Sequence, residues 1–199
     1  YIGGDKKNTM IIAGPCAVES EKQILESAKF LKSLGINTLR AGLYKPRTSP
    51  YTFQGLGDAG LSIWKAIKDE FNLNIVSEVR DITNFEKIVN IVDIVQIGAK
   101  AMYDRSLLKA CGEINKPILL KRHFAATIEE LIKAADFILS AGNEKVILCD
   151  RGIRTFETKT RFTLDLTSVA YLQKFVILPI IVDPSHAMAI SYTHLRAHE

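Results

Sequence analysis

The chain has 199 residues, 47% hydrophobic and 24% charged, with a formal net charge of +4. That length suits one domain with a large core, and so mild a charge does not imply a nucleic-acid partner; it matters only if the cations converge on a site. No apolar run approaches the ~20 residues that span a bilayer, and three widely spaced cysteines, Cys16, Cys111 and Cys149, argue for a reducing, cytoplasmic setting rather than a disulfide framework.

The opening residues are polar and Gly-rich, unlike a signal peptide, and a chain beginning at Tyr1 is expected to lack its natural N-terminus. The first apolar run, Met10–Ala13, predicts a strand leading into Gly14-Pro15-Cys16. Ser20 with Gln23 reads as a capping box for a helix from Glu21, whose stripe Ile24, Leu25, Ala28, Leu31 and Leu34 stops at Gly35. A strand over Thr38–Ala41 carries Arg40 and runs on to Lys45-Pro46-Arg47-Thr48-Ser49-Pro50. Next come a helix over Leu61–Phe71, with Trp64 on its core stripe, and a strand over Ile75–Glu78. Thr83 with Glu86 reads as a second capping box, for a helix over Phe85–Val92. A strand over Ile94–Ile97 passes through Gln96 to Gly98-Ala99-Lys100, and a helix over Arg105–Gly112 carries an inert Cys111. The strand Ile118–Lys121 ends in Lys121-Arg122-His123; Thr127 with Glu130 then caps a helix from Ile128 that stops at Gly142. The strand Val146–Cys149 leads into Asp150-Arg151-Gly152, a helix over Thr163–Phe175 follows, and a strand over Ile180–Asp183 leads into Pro184-Ser185-His186.

These strands are β-branched and apolar without clean alternation, as strands covered on both faces are. Their alternation with helices predicts an α/β fold, a (β/α)8 TIM barrel over residues 1–190, incomplete, with seven strands and the eighth missing. An open doubly wound sheet is the alternative. All seven predicted strands deliver polar residues at their C-terminal ends, and only a barrel makes those ends converge on one site.

Most of those residues are cations: Arg40, Lys45, Arg47, Lys100, Lys121 and Arg151. Crowded at one mouth they repel one another unless anions arrive, and phosphates or carboxylates match them. The bland alternative is a set of solvated loop charges. Cys16 and His186 fall on neighbouring strand ends if a barrel nearly closes, and thiolate with imidazole suits a divalent transition metal such as Mn, Fe, Co or Zn; a core thiol and a hydrogen-bonded imidazole are the alternative. Glu78 either orients Lys45 or Lys121 or serves as salt-bridge scaffolding. Cys149 reads as a core thiol and His123 as part of a loop or wall.

The segments IAGPCAVES (Ile12–Ser20), LRAGLYKPRTSPYTFQGLG (Leu39–Gly57), QIGA (Gln96–Ala99), LLKR (Leu119–Arg122), ILCDRGIRTFE (Ile147–Glu157) and VDPSHA (Val182–Ala187) together resemble the 3-deoxy-D-arabino-heptulosonate 7-phosphate (DAHP) synthases. The resemblance implies condensation of phosphoenolpyruvate with erythrose 4-phosphate and water, at the entry to the shikimate pathway. It implies that Arg40, Lys45, Lys121 and Arg151 hold phosphoenolpyruvate and that Arg47 and Thr48 hold erythrose 4-phosphate. Lys100 stands where the family usually has Arg, keeping the charge without the bidentate fork. Lys45 and Lys121 are the implied catalytic residues, Lys45 as general acid. Cys16 and His186 are implied as two of four metal ligands; the other two, Glu and Asp, have no counterpart here. Small phosphorylated substrates, no membrane or nucleic acid, and a homo-oligomeric parent complete the expectation. The sister 3-deoxy-octulosonate 8-phosphate synthases use arabinose 5-phosphate, and Lys45-Pro46-Arg47-Thr48-Ser49 favours the four-carbon sugar. A binding module for phosphorylated metabolites without chemistry is a further alternative.

The resemblance stops after Ala187, and Ser191–Glu199 reads as a foreign tail. Its His194, His198 and Glu199 have helical spacing but lack the HExxH order of a metal site. A chain without its eighth strand is expected to show little or no activity.

Overall fold

Strands and helices alternate through the computed structural model, which describes residues 9–45, 49 and 51–188. Arg47, Thr48 and the tail from Ser191 lie outside the described residues. The elements are α1 (Glu21–Ser33), β1 (Thr38–Arg40), α2 (Leu61–Phe71), β2 (Asn74–Val79), α3 (Phe85–Val89), β3 (Ile94–Ile97), α4 (Arg105–Gly112), β4 (Ile118–Lys121), α5 (Ile128–Ser140), β5 (Val146–Asp150), α6 (Leu166–Phe175), β6 (Ile180–Val182) and α7 (Pro184–Met188). They fall into two compact units, Tyr1–Ile97 with Lys116–Ile118, and Gly98–Asn115 with Leu119–Glu199.

In the first unit β1, β2 and β3 pair in parallel and in chain order, with Arg40 opposite Val76 and Glu78 opposite Gln96. Helix α1 buries Ile24, Ala28 and Leu31, and α2 buries Trp64 and Ile67. In the second unit β5 and β6 pair in parallel, and all five residues of β5 are buried. Strand β3 is likewise buried throughout, the signature of parallel sheet covered on both faces. Helices α4 and α5 meet through Leu107, Leu108 and Cys111 on one and Leu131, Ala134, Ala135 and Ile138 on the other. A Cβ at Gly112 would collide with Ala141 and the Ile138 carbonyl, so this close approach requires glycine.

Six of the seven expected strands form; the run Met10–Ala13 does not. Ala13 makes a single parallel bridge to Leu39, through Ala13 N–H to the Thr38 carbonyl at 3.3 Å and Arg40 N–H to the Ala13 carbonyl at 2.8 Å. Beyond it the ladder is broken by Gly14 at φ 142° and by Pro15, which has no N–H. The Thr127–Glu130 capping box is complete. At α1 Ser20 accepts from Gln23 N–H at 3.2 Å, while the Gln23 side chain accepts from Glu19 rather than from Ser20. Thr83 is not a cap. Its N–H donates to Asp81 Oδ1 at 3.0 Å, and Asp81 starts a short 3-10 turn before α3, which ends at Val89 rather than Val92. Helix α6 starts at Leu166, not Thr163, because Thr163 exchanges two 2.8 Å backbone bonds with Ile153 and Asp165 takes the cap.

Candidate active site

The first unit gathers Cys16, Arg40 and Lys45 around the backbone of residues 14–16. A Cβ at Gly14 would strike the Arg40 carbonyl, so glycine lets this segment run against the end of β1. Arg40, at the end of β1, donates from Nη1 to the Pro15 carbonyl at 2.9 Å. Lys45 donates from Nζ to the Cys16 carbonyl at 3.1 Å and to Cys16 Sγ at 2.6 Å. Cys16 is exposed and Lys45 half-buried. Glu78 accepts from Gln96 Nε2 at 2.8 Å; the Lys45 ammonium turns to Cys16. Behind Lys45, the Tyr44 hydroxyl donates to Asp58, which also pairs with Lys87 at 2.5 Å. Burial and the Asp58 carboxylate push the Tyr44 phenol up to about 12.

The second unit gathers Lys121, Arg151 and His186 about a carboxylate that sequence reasoning placed at a strand end without a role. Asp183 Oδ2 meets Lys121 Nζ at 2.6 Å and His186 Nδ1 at 2.7 Å, and Asp183 Oδ1 accepts from His186 N–H at 3.2 Å. Burial alone would raise the Asp183 carboxyl; the His186 hydrogen bond and the Lys121 charge overcome it and hold the group well below the usual carboxylate range. An ionised Asp183 is matched by a proton on Nδ1 of the imidazole. The Asp-x-x-His spacing at a helix start was the available signal for this pair. Arg151 is 7% exposed and donates from Nη2 to the His186 carbonyl at 3.3 Å, while its Nη1 finds no acceptor among the described residues. Burial lowers the Arg151 pKa against the opposing pull of the Asp183 carboxylate, and the nearby Arg161 charge lowers it further. Lys100 is exposed on a short turn after β3.

The second unit also holds an ion cluster that sequence reasoning missed. Arg122 donates from Nη1 to Asp150 at 2.9 Å and Asp165 at 3.3 Å, and from Nε to the Ala126 carbonyl at 3.0 Å. Asp150 is fully buried, so Arg122 is its counter-charge and not a substrate group. Cys149 and Cys111 are buried thiols, each pushed up to about 12 by desolvation. His123 stacks on Phe124 at 4.1 Å and is lowered by burial and by Arg151 and Arg154. Among the described residues no group of three or more His, Cys, Asp and Glu could hold a metal ion, and no helix is long and apolar enough to cross a membrane.

A sequence model of the DAHP synthetase I family matches residues 1–194, ending inside the expected foreign tail. A Thermotoga maritima protein named phospho-2-dehydro-3-deoxyheptonate aldolase is 49% identical over 177 residues, covering 89% of this chain and 52% of the relative. A 2-dehydro-3-deoxyphosphooctonate aldolase from Francisella tularensis subsp. holarctica is 27% identical, covering 94% and 70%. The crystal structure of the Thermotoga DAHP synthase superposes with a TM-score of 0.87 at 48% identity, over 90% of this chain and 52% of that one. A truncated form of the same synthase gives a TM-score of 0.82 at 45% identity. The chain thus spans about half the length of the Thermotoga relative, and its fold is of the expected parallel (β/α)8 barrel class.

Proposed function

The chain belongs to the DAHP synthetase I family, and from that premise we propose that the protein condenses phosphoenolpyruvate with erythrose 4-phosphate and water to give DAHP and phosphate, at the entry to aromatic amino-acid synthesis. The observation that carries this reading is Arg151, a buried guanidinium with an unused Nη1 donor in the unit that also buries Lys121. A desolvated cation with an open donor is matched by a phosphate or carboxylate. Arg40 and Lys45 rest on carbonyls and a thiol rather than on carboxylates, which leaves their charge for an anion.

In this reading Arg40, Lys45, Lys121 and Arg151 hold phosphoenolpyruvate, while Arg47 and Thr48 hold the phosphate of the sugar. The clamps fix the enol C3 against the aldehyde carbon, which removes the entropy of encounter from the barrier. Lys45 protonates the alkoxide as the carbon–carbon bond forms. Water then adds at C2 and phosphate leaves. Lys100 adds a point charge without a fork. The donor chemistry of Cys16 and His186 fits a divalent transition metal: one is an exposed thiol beside the end of β1 and the other an imidazole whose Nδ1 is oriented by a carboxylate. When bound, such a metal supplies Lewis acidity toward the aldehyde. Cys16, Cys111 and Cys149, which form no disulfide among the described residues, suit a reducing cytoplasm.

The test is calorimetric titration of the chain with phosphoenolpyruvate, followed by phosphate release with erythrose 4-phosphate or arabinose 5-phosphate, with and without Mn and a chelator. Phosphoenolpyruvate binding is expected, and such metal-dependent release as the chain gives should favour the four-carbon sugar. Absence of phosphoenolpyruvate binding would sink the proposal, and preference for the five-carbon sugar would move it to the sister reaction.

A further inference from the structure

The loop after β5 returns on itself, and the return places an aromatic ring against Arg151, among the described residues the one buried cation with a donor left unpaired. Ile153 and Thr163 exchange N–H to carbonyl bonds of 2.8 Å in an isolated antiparallel bridge. Phe162, next to the bridge, lies under the Arg151 guanidinium, whose Cζ is 4.4 Å from the ring centroid. The ring is itself held: it stacks on Phe124 at 5.4 Å with a 30° interplanar angle. Phe124 in turn packs against His123 at 4.1 Å and lies under Arg154 at 4.7 Å, and Arg154 N–H donates to the Phe124 carbonyl at 2.7 Å.

Arg151 has little else to fix it. Its only hydrogen bond among the described residues is a 3.3 Å contact to the His186 carbonyl. Arg161, whose Cζ is 5.1 Å from the same ring, adds like charge nearby. The Asp183 carboxylate attracts the guanidinium through space but accepts no hydrogen bond from it among the described residues, so it does not fix the plane of the donors. The π face attracts the cation and, being flat, fixes the plane in which its donors fan out.

We propose that Phe162 is a positioning residue: its ring, clamped between the Ile153–Thr163 bridge and Phe124, is the platform that holds the Arg151 guanidinium with Nη1 turned to receive an anionic oxygen. The inference rests on the reading of Arg151 as a phosphoenolpyruvate group, but the platform itself can be tested without that ligand.

Phe162→Leu keeps apolar volume and removes the π face; Phe162→Tyr keeps both. By calorimetry Phe162→Leu is expected to bind phosphoenolpyruvate about 5- to 30-fold more weakly, the fold-change of a partly desolvated cation–π contact. Phe162→Tyr should stay within about twofold of the parent, the range of an undisturbed platform. Thr163→Pro removes one N–H of the bridge and restricts the backbone of Phe162 while keeping its ring, and the same direction of loss is expected. Modification by phenylglyoxal, read residue by residue by mass spectrometry with no ligand present, should be several-fold faster at Arg151 in Phe162→Leu than in the parent. Unchanged affinity and unchanged Arg151 modification in Phe162→Leu overturn the platform, as does equal weakening by Phe162→Tyr. If Phe162→Leu fails to fold, full affinity in Thr163→Pro overturns it instead. A parent that binds no phosphoenolpyruvate, together with faster Arg151 modification in Phe162→Leu, sinks the proposed reaction and leaves the platform standing.

Discussion

In the first unit the strand-end cations Arg40 and Lys45 rest on main-chain carbonyls at 2.9 and 3.1 Å; in the second, Lys121 and Arg122 are held by carboxylates at 2.6 and 2.9 Å. A carbonyl satisfies a donor without cancelling its charge, so such cations keep their attraction for an incoming anion. A fully buried carboxylate such as Asp150 cancels the charge and turns its Arg122 pair into scaffold, whereas Lys121 shares the part-exposed Asp183 with His186. Arg151 belongs with the first kind although it sits in the second unit, because its one hydrogen bond among the described residues goes to a carbonyl. The cysteines divide in the same way: Cys16 is exposed, while Cys111 and Cys149 are buried.

The largest contrast is expected between those thiols. Cys111 and Cys149, pushed up to about 12 by burial, should react with a thiol reagent at pH 8 on the order of a thousandfold or more slowly than Cys16, since they must await opening of the fold. Comparable rates at all three would erase the distinction between a surface site and a core.

Replacing Arg122 tests whether the second cluster is scaffold. Arg122→Ala strands the fully buried Asp150 and removes the partner of Asp165, so a loss of about 3–5 kcal/mol is expected in urea denaturation. A loss below about 1 kcal/mol, the range of exposed pairs, would place the cluster among ordinary surface ion pairs.

Gly14→Ala probes the first unit. An L side chain at φ 142° with its Cβ against the Arg40 carbonyl should cost about 1–3 kcal/mol and displace Cys16 from Lys45. Unchanged stability together with an unchanged Cys16 labelling rate would show that the segment does not depend on this conformation.

The smallest effect concerns pH. Burial and the charges of Arg151 and Arg154 hold His123 below its ordinary value, with Glu130 opposing. The unfolded chain therefore takes up the proton first on acidification. The stability tied to neutral His123 is complete above the ordinary histidine range and is lost as pH falls through that range toward the folded value. His123→Asn should flatten the stability profile there; an identical slope in parent and variant would exclude His123 as its source.

Much of this was legible beforehand. Six strands, the helices over Leu61–Phe71 and Arg105–Gly112, and the Thr127–Glu130 box follow from local periodicity and capping, which depend only on residues a few positions apart. The misreadings share a cause. Thr83, Thr163 and Met10–Ala13 each met a competing local partner or interruption: Asp81, Ile153, and the Gly14-Pro15 pair.

The sequence by itself determined the order of strands and helices, the parallel class of the sheet and the phasing of cations with strand ends, because side-chain periodicity and chain connectivity carry that information. Only the tertiary structure decided which cations are spent on carboxylates and which are not. Asp183 is 62 residues from Lys121, Asp165 is 43 from Arg122, and Phe162 reaches Arg151 only through a backbone bridge. Whether a charge is cancelled, desolvated or left open depends on contacts between distant segments, and no local pattern records them.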